Sequence, residues 1–311
     1  MSTSWPELNY AEAKATYQTL HLFTQIAGKI KLVKSPWVNH SWHVTLLVSP
    51  TGLTTGNIGN GKLSFQIDFD LVAHQLRVSC STGQAVAFPL AGLSVAGFYR
   101  RLMEALTQLH LETKINLTPN ELENPIPFDQ DEIHKTYVPG HAENLHKALL
   151  KTNQVLNQFR TGFSGKCSPV HFFWGSFDLA VSRFSGKTAP PHPGGIPNLP
   201  DWVAREAYSH EVSSVGFWPG NEALPQAAFY AYHYPEPGGY SKAAVQPAGA
   251  YYHQTLHEFI LPYDAVQKTE NPEETLLQFL ESTYAAGANL AAWNRAALET
   301  PLPAEAPNAA R

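Results

Sequence analysis

The feature that most constrains the fold is an order of elements that the chain runs through twice. Residues 9 to 27 set Tyr10, Ala13, Tyr17, Leu20, His21 and Phe23 at spacings of three and four, which marks one helical face. Strand-like runs follow. Ser41 to Ser49 is rich in β-branched and aromatic side chains. Leu63 to Phe69 and Gln75 to Ser81 form a pair joined near Ala73-His74, and Gln84 to Leu90 adds another strand. Ser94 reads as the N-cap of a helix reaching Leu111. The second pass opens with a helix over His141 to Gln158, with Leu145, Leu149, Val155 and Leu156 inward. Strand-like runs recur around His171–Ser182, after Ser209, at Ala228–Tyr234 and at Gln254–Tyr263. Asn271-Pro272-Glu273-Glu274 then starts a helix to about Leu298: a cap, a proline at the first position and two carboxylates facing the helix dipole.

Runs of strands bracketed by helices predict an α+β protein with antiparallel sheets packed against helices. A gapless offset of 133 places Ser35-Pro36 on Ser168-Pro169, and Leu46, Val48 and Ser49 on Leu179, Val181 and Ser182. An internal duplication is therefore expected, as helix–strands–helix twice. The expected divisions are a first half over 1–111, a Pro-rich acidic connector over 112–140, a second half over 141–299, and a disordered tail over 300–311.

Charge narrows the classes of partner. Only 15 % of residues are charged and the net charge is −5, with no block of Lys or Arg. Nucleic acid and anionic membranes both need clustered positive charge, so neither is an expected partner. Such a sparse charge leaves two readings of the surface: uncharged polar residues, or burial in a homo-oligomer. Cys80 and Cys167 are the only cysteines, too few for a disulfide scaffold. The first residues, MSTSWPELNYAEAK, lack a basic and then apolar run, and no stretch approaches about 18 apolar residues. A cytoplasmic location is expected.

One glycine-rich segment resembles a phosphate loop. Gly56, Gly61 and Lys62 fit G-x-x-x-x-G-K, but Leu63 stands where Ser or Thr would hold magnesium. The following LSFQIDFDL alternates as a strand, whereas a phosphate loop needs a helix there. A glycine-rich hairpin is the better reading.

Reactive side chains concentrate between Ser168 and Gly220. Counting alternate faces along HFFWGSFDLAVS puts His171, Phe173, Phe177 and Leu179 on one side and Trp174, Ser176, Asp178 and Ser182 on the other. The second set has the polar and aromatic mix of a ligand-facing wall. Ser209-His210-Glu211 has the chemistry of a metal ligand pair or an acid–base pair, although neighbours on a strand point opposite ways. His171, Asp178 or His192 could complete a His/carboxylate site, with His171, His210 and Glu211 as candidate ligands of a divalent metal. Catalytic candidates are His210, Glu211, Asp178 and His192. Ligand-binding candidates are Trp174, Arg183, Trp218, Tyr230 and Tyr232, with Arg183 suited to an anionic substrate group. His192 sits in a loop stiffened by five prolines between Thr188 and Pro200, and such a loop could cover a pocket.

Four blocks, SPVHFFWGSFDLAVSRFSGK, EAYSHEVSSVGFWPG, FYAYHYPEP and EFILPYD, resemble the bacterial family designated domain of unknown function 5996. The likeness extends from Trp5-Pro6-Glu7-Leu8 to the last helix. It implies a bacterial protein and assigns no activity, cofactor or catalytic residue. From the residues alone, the leading expectation is an enzyme acting on a small molecule, a hydrolase or oxidoreductase with a metal as one option. A non-catalytic binding protein with an aromatic cleft and an oligomeric structural protein are the alternatives.

Overall fold

The computed structural model describes residues 5–300, so the expected tail lies outside the described residues from 301 onward. Helix α1 (Tyr10–Lys34) leads through a 3-10 turn at Asn39–Ser41 into a first sheet. Its strands are β1 (Leu47–Ser49), β2 (Gly52–Thr54), β3 (Ile58–Asn60), β4 (Leu63–Asp70), β5 (Gln75–Cys80) and β6 (Ala85–Pro89), followed by α2 (Val95–Gln108). After a stretch without regular elements comes α3 (Pro139–Thr161). The second sheet contains β7 (His171–Phe173), β8 (Asp178–Thr188), β9 (His210–Trp218), β10 (Ala228–Tyr234), β11 (Tyr251–His253) and β12 (Glu258–Pro262). A short α4 (Asp201–Ala207) lies between β8 and β9, and α5 (Tyr263–Gln267), α6 (Pro272–Leu290) and α7 (Arg295–Leu298) complete the described chain.

The strand orders are β1-β2-β4-β5-β6, with β3 on β4, and β11-β12-β10-β9-β8-β7. All pairings are antiparallel, so the chain is α+β. The sheets meet at one point. Leu46 N–H donates to Phe172 O (2.9 Å) and Phe172 N–H to Leu46 O (2.8 Å). This sets β1 beside β7. The gapless offset of 133 equates β1 with part of β8, and the expected internal duplication is not confirmed by the two sheets.

One hydrophobic cluster runs from Trp5 through α1, both sheets and α6. At its centre α1 is buried on nearly every face, which is why its apolar periodicity fades before its end. Its polar residues fasten neighbouring chain. Gln25 Nε2 donates to Asn120 O (3.0 Å) and its Oε1 accepts from Asn120 N–H (2.8 Å). Lys29 Nζ donates to Thr118 O (2.8 Å) and Lys31 Nζ to Thr45 O (2.6 Å). Burial lowers both ammonium groups to about 8. The 112–140 stretch is thus strapped to α1, and Phe128 and Asp131 within it are buried.

Local chemistry explains where strands start and stop. The expected strand from Ser41 shrinks to its last three residues, because His40 and Ser41 adopt φ of 58° and 56°. The glycine-rich segment is a hairpin: Asn60 pairs with Leu63 across Gly61 (φ 64°), and β4 follows where a phosphate loop would need a helix. Ser94 Oγ accepts from Gly97 N–H (3.0 Å) and Asn271 Oδ1 from Glu274 N–H (3.3 Å), so both expected caps form.

Candidate functional site

The second sheet turns one face to α3 and α6 and the other to a cavity of about 450 Å³. Register decides which side chains reach it. Phe173 pairs with Asp178, Ser182 with Ser214 and Gly216 with Tyr230, and directly opposed residues share a face. Asp178, Ser182, Ser214, Tyr230 and Tyr232 therefore line the cavity from three adjacent strands. At Gly216, a Cβ would overlap the Tyr230 ring, so the missing side chain is what lets the phenol lie across β9 toward Asp178.

Residues 174–177 form a four-residue turn between β7 and β8, with Phe177 at φ 60°. Face-counting straight through this turn fails, so Phe173 lies on the cavity face and not with core residue Leu179. Helix α1 holds the turn. His21 Nε2 donates to Gly175 O (2.8 Å), and burial keeps this imidazole neutral, down at about 4. Gly28 leaves room for the Trp174 indole, which a methyl group there would overlap. Trp174 Nε1 donates to Val44 O (2.8 Å) and Trp218 Nε1 to Ser176 O (2.9 Å). With their N–H groups spent on backbone, both indoles offer faces and edges to an occupant.

Three carboxyl groups reach the cavity from separate elements. Asp178, 6 % exposed, accepts from the Tyr230 and Ser176 hydroxyls. Burial raises it to about 6 despite those bonds. Glu121 stands at φ 61° over Gly175, where a Cβ would collide with its carboxyl, and its N–H donates to Pro197 O (2.8 Å). Burial, then repulsion from Asp178, raises it to about 7. Glu258 begins β12, and its Oε2 is sealed from solvent without a hydrogen-bond partner. Burial, then Asp178, raises it to about 8. Among the described residues no Lys or Arg lines the cavity. Beside these acids the Tyr208 and Tyr232 hydroxyls bond each other (2.8 Å), as do those of Ser182 and Ser214 (3.0 Å).

The mouth is aromatic. Trp37 and Trp202 are 45 % and 55 % exposed, with ring centroids 5.1 Å apart. The Glu206 carboxylate accepts from His40 N–H (2.8 Å), latching α4 onto the 3-10 turn as a roof.

Of the catalytic, ligand-binding and metal candidates read from sequence, Asp178, Trp174, Trp218, Tyr230 and Tyr232 line this cavity, as do Ser176 and Ser182 of the expected wall, whereas Arg183, His171, His192, His210 and Glu211 do not. Arg183, 1 % exposed, points to the opposite face of β8. Its guanidinium stacks on Phe159 (3.4 Å) and Tyr284 (4.4 Å) and pairs with Glu281 (3.2 Å), so it is not available to a substrate anion. Glu211 also faces away, accepting from Ser185 Oγ (2.9 Å). His210 Nδ1 bonds Ser209 Oγ (3.1 Å). His192 stacks behind Tyr208 (4.7 Å), and its Nδ1 accepts from Gly194 N–H (3.1 Å). His171 is buried against Trp42 (6.0 Å), and burial lowers it to about 4. His171, His210 and Glu211 therefore do not converge on one ion. Among the described residues no three His, Cys, Asp or Glu side chains do. The strand expected from Gln254 to Tyr263 is instead a hairpin, with Gln254 to His257 as its turn and β12 only from Glu258.

Glu121, Glu258, Tyr208, Trp37, Trp42 and Trp202 were missed. Glu121, Trp37 and Trp202 come from segments with no periodic signal, while Trp42 and Glu258 lie within runs read as strands whose cavity face was not assigned.

The model of a family of unknown function (DUF5996) matches residues 5–300, nearly the whole chain, and the chain belongs to that family. Comparison with curated proteins and with solved structures finds no match. No helix among the described residues is long and apolar enough to cross a membrane.

Proposed function

We propose that this member of the family binds a small organic molecule in the aromatic cavity of the second sheet. The observation that carries the reading is a roofed cavity of about 450 Å³ whose walls include five of the chain's seven tryptophans. That volume suits a drug-sized or smaller ligand, and large aromatic walls with a few convergent polar groups are the usual make-up of such sites. The test is a fluorine NMR fragment screen on the wild-type protein and on Ala180→Trp, which would fill the cavity from β8. Fragments that bind the wild type and are lost from the folded variant support the reading. Equal binding to both would place the ligand elsewhere, and no binding at all would end the reading.

A second reading, acid–base catalysis, is favoured by the three carboxyl groups held between about 6 and about 8. Groups that exchange protons near neutrality are what a general acid or base needs. Under it, Asp178→Asn keeps ligand binding and abolishes turnover.

A further inference from the structure

The cavity's walls and acids together define the charge of its occupant, an inference that rests on the cavity being a ligand pocket. We propose that it takes an organic cation: an amine or quaternary ammonium group on a small apolar body. The argument starts from what the cavity lacks. Glu121, Asp178 and Glu258 enter it from the 112–140 stretch, β8 and β12, and no Lys or Arg among the lining residues answers them. Buried carboxyls are normally paired, because an uncompensated charge in an apolar site is costly. Here Glu121 has no side-chain ion-pair partner among the described residues, Glu258 Oε2 has no partner of any kind, and Asp178 has only hydroxyls.

Two further features select an organic cation over a metal ion. No three acidic or His side chains among the described residues lie close enough to share one ion. The acids enter from three separate elements, and Asp178 is near enough to repel both glutamates. A bulky cation with diffuse charge fits that arrangement. The walls between the acids are indole and phenol rings, whose faces attract cations. The protein already uses this attraction on two of the lining rings. Lys166 Nζ lies 5.2 Å from the ring centres of Trp42 and Phe184, both lining residues, and 2.6 Å from His40 Nε2. Lys166 is not itself a lining residue, so the ligand's charge belongs beside the unanswered acids Asp178, Glu258 and Glu121. Anionic ligands would meet three acids and no cation, and neutral ligands would leave the acids unanswered.

The test uses the full chain and two matched pairs: choline with 3,3-dimethylbutan-1-ol, and phenyltrimethylammonium with tert-butylbenzene. In each pair the shape is kept and the charge removed. Binding is read by tryptophan fluorescence and calorimetry. The expected result is that each cation binds about tenfold or more tighter than its isostere, a gap of about 1.4 kcal/mol. Glu258→Gln and Glu121→Gln should each narrow that gap and leave the isostere's affinity in place. Asp178→Asn is a third variant should either glutamine variant fail to fold. Neutral partners binding as tightly as the cations would overturn the charge inference and leave the pocket reading standing. Failure of all four probes here, with neutral or anionic fragments still held in a manner that Ala180→Trp abolishes, would also overturn the charge inference alone. Failure of every fragment and every probe would overturn both.

Discussion

Glu258 offers the sharpest test of the idea that the cavity's acids serve an occupant rather than the fold. Its carboxyl rises from the ordinary 4.5 to about 8, first through burial and then through Asp178. At 1.36 kcal/mol per pKa unit, ionising it in the folded protein costs about 5 kcal/mol more than in the unfolded chain. The sign follows from linkage. A folded-state value above the unfolded one means that the native protein holds the proton more tightly. The benefit is full below about pH 4.5 and is lost as pH rises to about 8, with no further change beyond. The groups around it are Asp178, Tyr208, Tyr230, Tyr232, Tyr240 and Tyr252 and, across the strand pair, His253.

The perturbation is Glu258→Gln, which keeps size and removes the titration. Part of the side chain reaches solvent, so the observable gain is about half the full figure, about 2–3 kcal/mol. Urea unfolding of the ligand-free protein at pH 5, 7 and 8.5 reads it. Wild type and variant should be nearly equal at pH 5, and the variant should be the more stable by about 2–3 kcal/mol at pH 8.5. A difference that does not change with pH, or a variant less stable than wild type at pH 8.5, would show that the carboxylate supports the fold and would refute the reasoning.

Two other outcomes follow from the same geometry. Arg183→Met should cost about 3 kcal/mol in urea unfolding, since it removes a buried guanidinium that stacks on Phe159 and Tyr284. Ligand affinity of the folded fraction should not change, because Arg183 lies on the far face of β8; a selective loss of affinity would contradict that placement. Phenyltrimethylammonium, which does not titrate, should bind more tightly as pH rises from 6 to 8 and should release protons in calorimetry run in buffers of different ionisation heat. The sign holds because Glu121, at about 7, and Glu258, at about 8, must lose their protons to face the cation; flat affinity with no proton release would count against their ionisation on binding.

What the sequence made legible was periodic, and what it hid was not. The four long helices, the β4–β5 and β9–β10 strands and the two caps are local patterns that recur in the structure, although α1 runs on to Lys34 and the last long helix stops at Leu290, short of the expected Leu298. The place of Asp178 in the cavity wall followed from its polar and aromatic surroundings. Arg183 was misplaced although the same rule excludes it: five residues separate it from Asp178 on one strand, and an odd number puts them on opposite faces. Phe173 was misplaced because the 174–177 turn restarts the alternation. Glu121 and Trp37 had no pattern to reveal them. They reach the cavity through Gln25 on Asn120 and Glu206 on His40, long-range pairs that no spacing encodes.

The case for a ligand rests on what a purely structural account would have to explain. The chain has 26 acidic residues, and those at its surface are commonly answered, as Asp264 is by Lys268 (2.6 Å) and Glu299 by Arg295 (2.6 Å). Even buried Arg183 is stacked and paired. Three acids without a cation in one apolar cavity depart from that practice, and replacing them with amides would relieve the empty protein. One of them, Glu121, is also held at a positive φ that an acidic side chain seldom adopts, by a clasp from the central helix. Such local strain and uncompensated polarity are expected where a site is organised for something that arrives later. A cation supplies the missing charge, and the indole faces supply the contact that holds its apolar body in place.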